Sequence, residues 1–275
     1  MKKKHFMEHS RINTDQARNL CELYERLNRR EYVHPDPLEF LYDYPDLKDR
    51  EIVGLIASSL AYGAVRQILR SVRTVLQRMG ASPSDYLGAA TQSSLSREFR
   101  DFKHRFTTGE ELATMLLGAK RVVETYGSLG QCFVQGSESN DETVIPALTH
   151  LVRELSRPFQ GRPRSLLPSP ELGSACKRLN LYLRWMVRRD RVDPGGWDTI
   201  SPRQLLIPLD VHMFRISQRL GLTLRKQANL RTACEITAAF RKIEPEDPVR
   251  YDFVLTRLGI RDELNPEEFL RTCNG

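Results

Sequence analysis

The sequence predicts an all-α fold. Apolar residues recur at helical spacing along most of the chain, and helix-stop residues follow several of those runs. No stretch carries the strict alternation of a half-buried strand. In chain order, the spacing predicts a first helix over 15–30, with Thr14 as its cap, before Pro35, Pro37 and Pro45 break the chain into turns. A second helix begins near Asp49, sets Ile52, Leu55, Ile56 and Leu60 on one stripe, and stops at Tyr62-Gly63. The next covers 64–79 and ends at Gly80, the residue type expected just past a helix C-terminus. Further helices are expected over 110–126, 143–157, 174–189, 211–220, 230–243 and 248–258, with loops at 136–142, 158–170 and 192–207. No internal repeat interrupts this order, so one unit spanning 1–275 is expected.

Composition narrows the classes of function. With 42 Lys and Arg against 35 Asp and Glu, the formal net charge is +7, which favours a polyanionic partner once the cations share a face. No apolar run is long enough to cross a bilayer, and the lysines at the start are not followed by an apolar signal core. A cytoplasmic protein is therefore expected. The five cysteines are widely scattered, which argues against a disulfide framework and against a Cys-based metal site. Neither a metal nor a cofactor is expected.

The most informative stretch is Pro208-Leu209-Asp210-Val211-His212-Met213-Phe214-Arg215, continuing through Arg219-Leu220-Gly221. Asp210 falls where a helix begins, so its carboxylate can accept hydrogen bonds from exposed backbone amides. Met213, Ile216 and Leu220 form one face of that helix, and His212, Arg215 and Arg219 form a basic one. Taken alone, this is an N-cap aspartate on an amphipathic helix with a solvated basic edge, and caps far outnumber catalytic carboxylates.

The wording Pro-Leu-Asp-Val-His-Met-Phe, closed by Arg-Leu-Gly-Leu, resembles the helix-hairpin-helix DNA glycosylases, and most of all the 8-oxoguanine DNA glycosylases. The resemblance implies an all-helical, glycosylase-like fold of two lobes flanking a cleft. It extends by order of motifs over 49–260, with lobes at 64–172 and at 1–63 plus 173–275. It also implies that Asp210 is the essential acidic residue and that His212 meets a substrate phosphate, with Arg215 and Arg219 beside it. Glu51 to Gly63 is similar to the family's early core helix, which would place Tyr62, Arg66 and Gln67 at the DNA groove; Tyr62-Gly63 is equally a plain helix stop. Asp247 to Gly259 resembles the last pocket-wall helix and would bring Asp252 and Phe253 to the base.

Family members that also cut the strand use a lysine nucleophile, and the residue in that order here is Lys177. On a helical wheel Ala175, Leu179, Tyr182, Leu183 and Met186 make the core stripe. Lys177 lies opposite, with Leu181, Arg184, Trp185 and Arg188. That mixed face suits a pocket near DNA, with Leu181 or Trp185 packed on an extruded base and Arg184 holding a phosphate; an exposed basic face with a tucked tryptophan is the plainer reading. Two departures stand out. Leu167-Pro168-Ser169-Pro170-Glu171-Leu172-Gly173 replaces the usual Leu-Pro-Gly-Val-Gly hairpin, and the separation between Lys177 and Asp210 is longer than in most members. The long separation is similar to the archaeal 8-oxoguanine branch, and it would let residues 189–207 carry Trp197 over the pocket. The same motifs also resemble a bacterial family of no assigned activity, distantly related to these enzymes.

The expected function is a monomeric glycosylase, with or without lyase activity, that removes a damaged purine such as 8-oxoguanine from DNA. Two alternatives stay open at this point: a non-catalytic DNA- or RNA-binding protein on the same scaffold, and an enzyme acting on a free nucleoside or nucleotide.

Overall fold

A computed structural model describes residues 12–161, 165–260 and 266–274. The described residues are mostly helical: α1 (Thr14–Leu27), α2 (Leu47–Ser59), α3 (Val65–Met79), α4 (Pro83–Ala89), α5 (Gln92–Glu98), α6 (Gly109–Tyr126), α7 (Leu129–Gln135), α8 (Ile145–Leu155), α9 (Lys177–Val187), α10 (Val211–Arg219), α11 (Leu230–Arg241), α12 (Asp252–Ile260) and α13 (Pro266–Asn274). A small antiparallel hairpin, β1 (Lys103–His104) and β2 (Thr107–Thr108), breaks the pattern. None of the described helices is long and apolar enough to cross a membrane.

The centre of the molecule is α2. Its polar first turn is capped by Asp46, and from Glu51 to Ser59 every residue is buried. That burial all round explains why the helix lacks a polar face. It packs on α9 and on the short 3₁₀ helix Pro37–Asp43, with α3 and α4 alongside. Gly54 is the point of closest approach to α9: a Cβ there would lie 2.9 Å from the Tyr182 ring. Helices α5 to α8 pack successively on one another, while α10 packs on α12 and α1 packs on α12 and α13. The buried apolar side chains of all these elements join in one continuous core.

One carboxylate ties α2 to the next layer. Glu51 accepts hydrogen bonds from the backbone amides of Leu129 and Gly130, at 2.9 and 3.0 Å, and from Trp197 Nε1 at 2.6 Å. It therefore satisfies the open amides of α7 from outside that helix. Burial pushes its pKa up, while those three donors act in the opposite direction.

Several expected elements shift, each for a physical reason. The cap of α1 is Asn13, not Thr14, because Asn13 and Gln16 form a reciprocal capping box. Helix α9 starts at Lys177 rather than at 174, since Cys176 takes a left-handed conformation with φ of 46°. Helix α12 starts at Asp252 rather than at 248. Residues 248–251 form turns instead, with Arg250 N donating to Asp247 O and Asp252 N to Val249 O, while both Asp247 carboxylate oxygens receive Arg188 Nε at 3.0 Å. The segment expected as a loop over 192–207 folds back on α9, with Gly195 N donating to Trp185 O and Trp197 N to Met186 O. The expected loop over 158–170 includes 162–164, outside the described residues. Four short helices (α4, α5, α7 and α13) and the β1–β2 hairpin had no counterpart in the sequence reading.

Candidate active site

A cavity of about 440 Å³ opens where the N-terminal ends of α9 and α10 meet the end of α2 and the face of α12. Both residues singled out as reactive stand on its wall. Lys177 is the first residue of α9, and its ammonium lies 3.4 Å from Asp210 Oδ2. Asp210 is the N-cap of α10, and its other oxygen accepts from Met213 N at 2.7 Å. The cap hydrogen bond thus fixes the carboxylate, and leaves Oδ2 turned toward the amine. Lys177 remains about a third exposed and Asp210 15% exposed, so the pair is reachable from solvent.

The backbone just before Lys177 is strained. A positive φ at a residue other than glycine costs on the order of 1–3 kcal/mol and persists only where neighbours enforce it. At Cys176 those neighbours are Ser174 Oγ, which accepts from its amide, and Pro168 O, which accepts from its thiol. Burial pushes the Cys176 thiol up to about 11, so it is not a nucleophile at neutral pH.

The floor of the cavity is a buried charge network. Asp252 is 1% exposed, and its Oδ2 receives Arg184 Nη1 at 2.5 Å. Its Oδ1 has no hydrogen-bond partner among the described residues. Burial pushes the Asp252 carboxyl up to about 6, with Arg184 opposing and the charge of Asp210 adding to the rise. Behind it, Arg184 and Arg188 share Asp193, and Arg188 also holds Asp190 and Asp247. Leu181 and Phe253 supply apolar wall, and Asp36 pairs with Arg257 at the far side. Phe253 lies beneath the Arg257 guanidinium at 4.7 Å and near that of Arg184 at 5.8 Å.

His212 and Tyr62 also line the cavity. His212 fits against α12 because Gly259 leaves space; a Cβ there would come within 2.8 Å of its Nδ1. Arg66, Gln67 and Arg215 are exposed and do not line it. Arg219 is exposed and paired with Glu267.

Three expected placements are corrected. Arg184 is not available to a phosphate, because it is nearly fully buried and saturated by Asp193 and Asp252. Trp185 is fully buried in the core rather than at the base pocket. Trp197 is drawn away from the cavity by its bond to Glu51 and packs against Phe133 and Tyr182, with ring centroids 5.5 and 5.2 Å away.

The sequence reading missed Asp36, Arg257 and Arg178. Asp36 precedes Pro37 and caps the 3₁₀ turn through Leu38 N, a cap signal legible in the residues. Arg178 donates to Ser59 O at 2.5 Å and stacks over Tyr62 at 5.0 Å. It thereby clamps the start of α9 to the carbonyl end of α2. Among the described residues no group of His, Cys, Asp or Glu is arranged to hold a metal ion. A second cleft, about 540 Å³, lies between α1 and α13, but its charged lining residues Glu22, Arg26 and Glu268 are exposed to solvent.

Fold and site together define a mostly helical protein with an amine–carboxylate pair at the mouth of a polar-floored cavity. Residues 36–261 match the model of a family described as "Protein of unknown function (DUF2400)", and the chain belongs to that family. No curated protein and no solved structure matches it.

Proposed function

We propose that this cavity is the base-excision site of a DNA glycosylase with lyase activity, of the helix-hairpin-helix kind that the sequence motifs resemble, acting on a damaged purine. The observation that carries the reading is the 3.4 Å approach of Lys177 Nζ to Asp210 Oδ2 at the cavity wall. A cavity of about 440 Å³ lies within the usual range for small-molecule sites, about 300–1,000 Å³. Its lining pairs the apolar Leu181 with the carboxylates of Asp36 and Asp252, so one extruded base would meet both an apolar surface and polar groups.

In this mechanism Asp210 takes a proton from the Lys177 ammonium. The neutral amine forms a bond to C1′ of the sugar as the bond from C1′ to the base breaks, and the base leaves with that electron pair and gains a proton. Opening of the sugar ring then gives the C1′ imine with Lys177. Loss of the C2′ proton expels the 3′ phosphate, which cuts the strand. Asp210 passes that first proton on to the departing base, and the carboxylate so restored offsets the positive charge that develops on the sugar and takes up the C2′ proton.

The test is incubation of the protein with duplexes carrying 8-oxoguanine, other damaged purines or an abasic site, in the presence of borohydride. A covalent adduct that disappears in Lys177→Ala is expected, with Asp210→Asn slowed on the order of 10²–10⁴-fold. Failure to form any adduct on any of these duplexes, with a free modified nucleoside cleaved instead, would replace excision with nucleoside hydrolysis.

A further inference from the structure

Lys177 stands between two anchored neighbours. On its N-terminal side, Cys176 takes φ of 46°, its amide donates to Ser174 Oγ at 3.1 Å and its thiol donates to Pro168 O at 3.3 Å. Asn180 Nδ2 closes the same turn by donating to Ala175 O at 2.9 Å. On the C-terminal side, Arg178 donates to Ser59 O at 2.5 Å and to Ser165 O, and its guanidinium lies 5.0 Å from the centre of the Tyr62 ring. The stretch from Ser165 to Pro168 is therefore tied to both neighbours of Lys177, and the end of α2 to one of them. Of these three consecutive residues, Lys177 alone lines the cavity.

Arg178 holds its place at a cost. It is partly buried, and burial lowers its pKa, with Tyr62 and Cys176 opposing. Its donors go to two backbone carbonyls and its face to an aromatic ring, none of which carries a formal charge. A guanidinium drawn from water is stabilised best by a carboxylate, and an apolar side chain of similar volume avoids the desolvation altogether. What arginine adds here is geometry. Its planar fork sends donors in fixed directions, so one helix residue can tie two carbonyls from separate segments. Ser59 ends α2, and Tyr62 stands on the cavity wall, so the fork sets the first turn of α9 against that wall.

We infer that Arg178 is the positioning residue of this site: it fixes the first turn of α9 so that the Lys177 amine meets Asp210 rather than open solvent. The inference rests on the excision reading in taking Lys177 as the nucleophile. Lys177 is about a third exposed and meets Asp210 at 3.4 Å, so its own packing does not hold the amine. A lysine carries its charge on a flexible stem, and the placement of its backbone therefore decides what the amine reaches. Arg178 acts through that backbone and does not itself line the cavity.

The test compares the full-length wild type with Arg178→Met and Arg178→Lys. Methionine keeps much of the stem and removes the donors and the charge, while lysine keeps the charge and can reach one carbonyl. Two quantities are read, well below each melting midpoint. The first is the separation of Lys177 Nζ from Asp210 Oδ2 in crystal structures. The second is the rate of borohydride trapping on an abasic duplex at saturating protein, with affinity for a duplex carrying tetrahydrofuran, an abasic-site analogue, measured beside it. Arg178→Met is expected to open the pair beyond about 4 Å, out of ion-pair reach. It is expected to slow trapping on the order of 10²-fold with affinity unchanged, and Arg178→Lys to recover about 10-fold of that loss. A role in stability alone would lower the melting midpoint and leave the trapping rate of the folded protein as it was. Should Arg178→Met fail to fold, Arg178→Lys is judged by the same two quantities. An intact pair in the variants overturns the inference, and so does trapping at the wild-type rate. An opened pair in Arg178→Met, beside a wild type that forms no adduct on any duplex, removes the excision chemistry and leaves the positioning.

Discussion

Asp210 has two roles in this account, and two substitutions separate them. As an N-cap it accepts from Met213 N at 2.7 Å, and as a charge it faces the Lys177 ammonium at 3.4 Å. Asp210→Asn keeps a side-chain oxygen for the cap and removes the charge. Asp210→Ala removes both. Loss of a cap of this kind costs about 1 kcal/mol, within a range of about 0.5–2 kcal/mol. The ion pair adds little to stability, at most about 1 kcal/mol, because Lys177 is about a third exposed. Asp210→Asn should therefore lose less than about 1 kcal/mol, and Asp210→Ala about 1–2 kcal/mol. The assay is urea unfolding of the three proteins side by side, with glycosylase rates measured on the same preparations. Activity should fall by a similar large factor in both variants despite their different stabilities. Full activity in Asp210→Asn would show that Asp210 is only a helix cap. Equal stability of the two variants would show that the bond to Met213 contributes nothing.

Two further outcomes follow from buried carboxylates. Glu51→Ala leaves the amides of Leu129 and Gly130 and the Trp197 indole N–H without an acceptor; a loss on the order of 3–5 kcal/mol in urea unfolding is expected, and a loss under 1 kcal/mol would contradict the role given to it. Asp252, pushed up to about 6 in the folded chain against a reference value of 3.8, binds more protons folded than unfolded between those limits. Its contribution to stability is therefore present below about pH 3.8 and lost as pH rises through about 6. The difference in unfolding midpoint between wild type and Asp252→Asn, followed from pH 4 to 7, should change across that window; a constant difference would contradict a raised pKa.

How far the sequence could be read depended on where each residue's partners lie. Helix α3 was legible because its apolar spacing and the Gly80 stop are both local. Asp210 was legible as a cap for the same reason, and the motif around it brought Lys177 into question before any distance was known. The second face of α9 departs from the wheel because Arg184 and Arg188 are buried by carboxylates outside the helix, Asp190 and Asp193 just past its end and Asp247 and Asp252 far along the chain. A helical wheel treats two arginines as solvent-facing, and only tertiary pairing reverses that. Trp197 was misplaced for the same reason: its partner, Glu51, belongs to a helix early in the chain. The short helices α4 and α5 did carry cap signals, Ser82 before Pro83 and Thr91 before Ser94, but too few residues followed to show a period. The hairpin gave less still. Strands of two residues cannot alternate visibly, and its turn has arginine where glycine would have announced it.

The central claim concerns a single amine, and peptide mapping by mass spectrometry tests it most directly. Wild-type protein would be reduced with borohydride on an abasic duplex, digested, and searched for the peptide carrying the sugar remnant. The account predicts one modified peptide, with the mass added at Lys177, and no such peptide from Asp210→Ala at the same exposure. Modification at another lysine, or a completely unmodified digest, would contradict it.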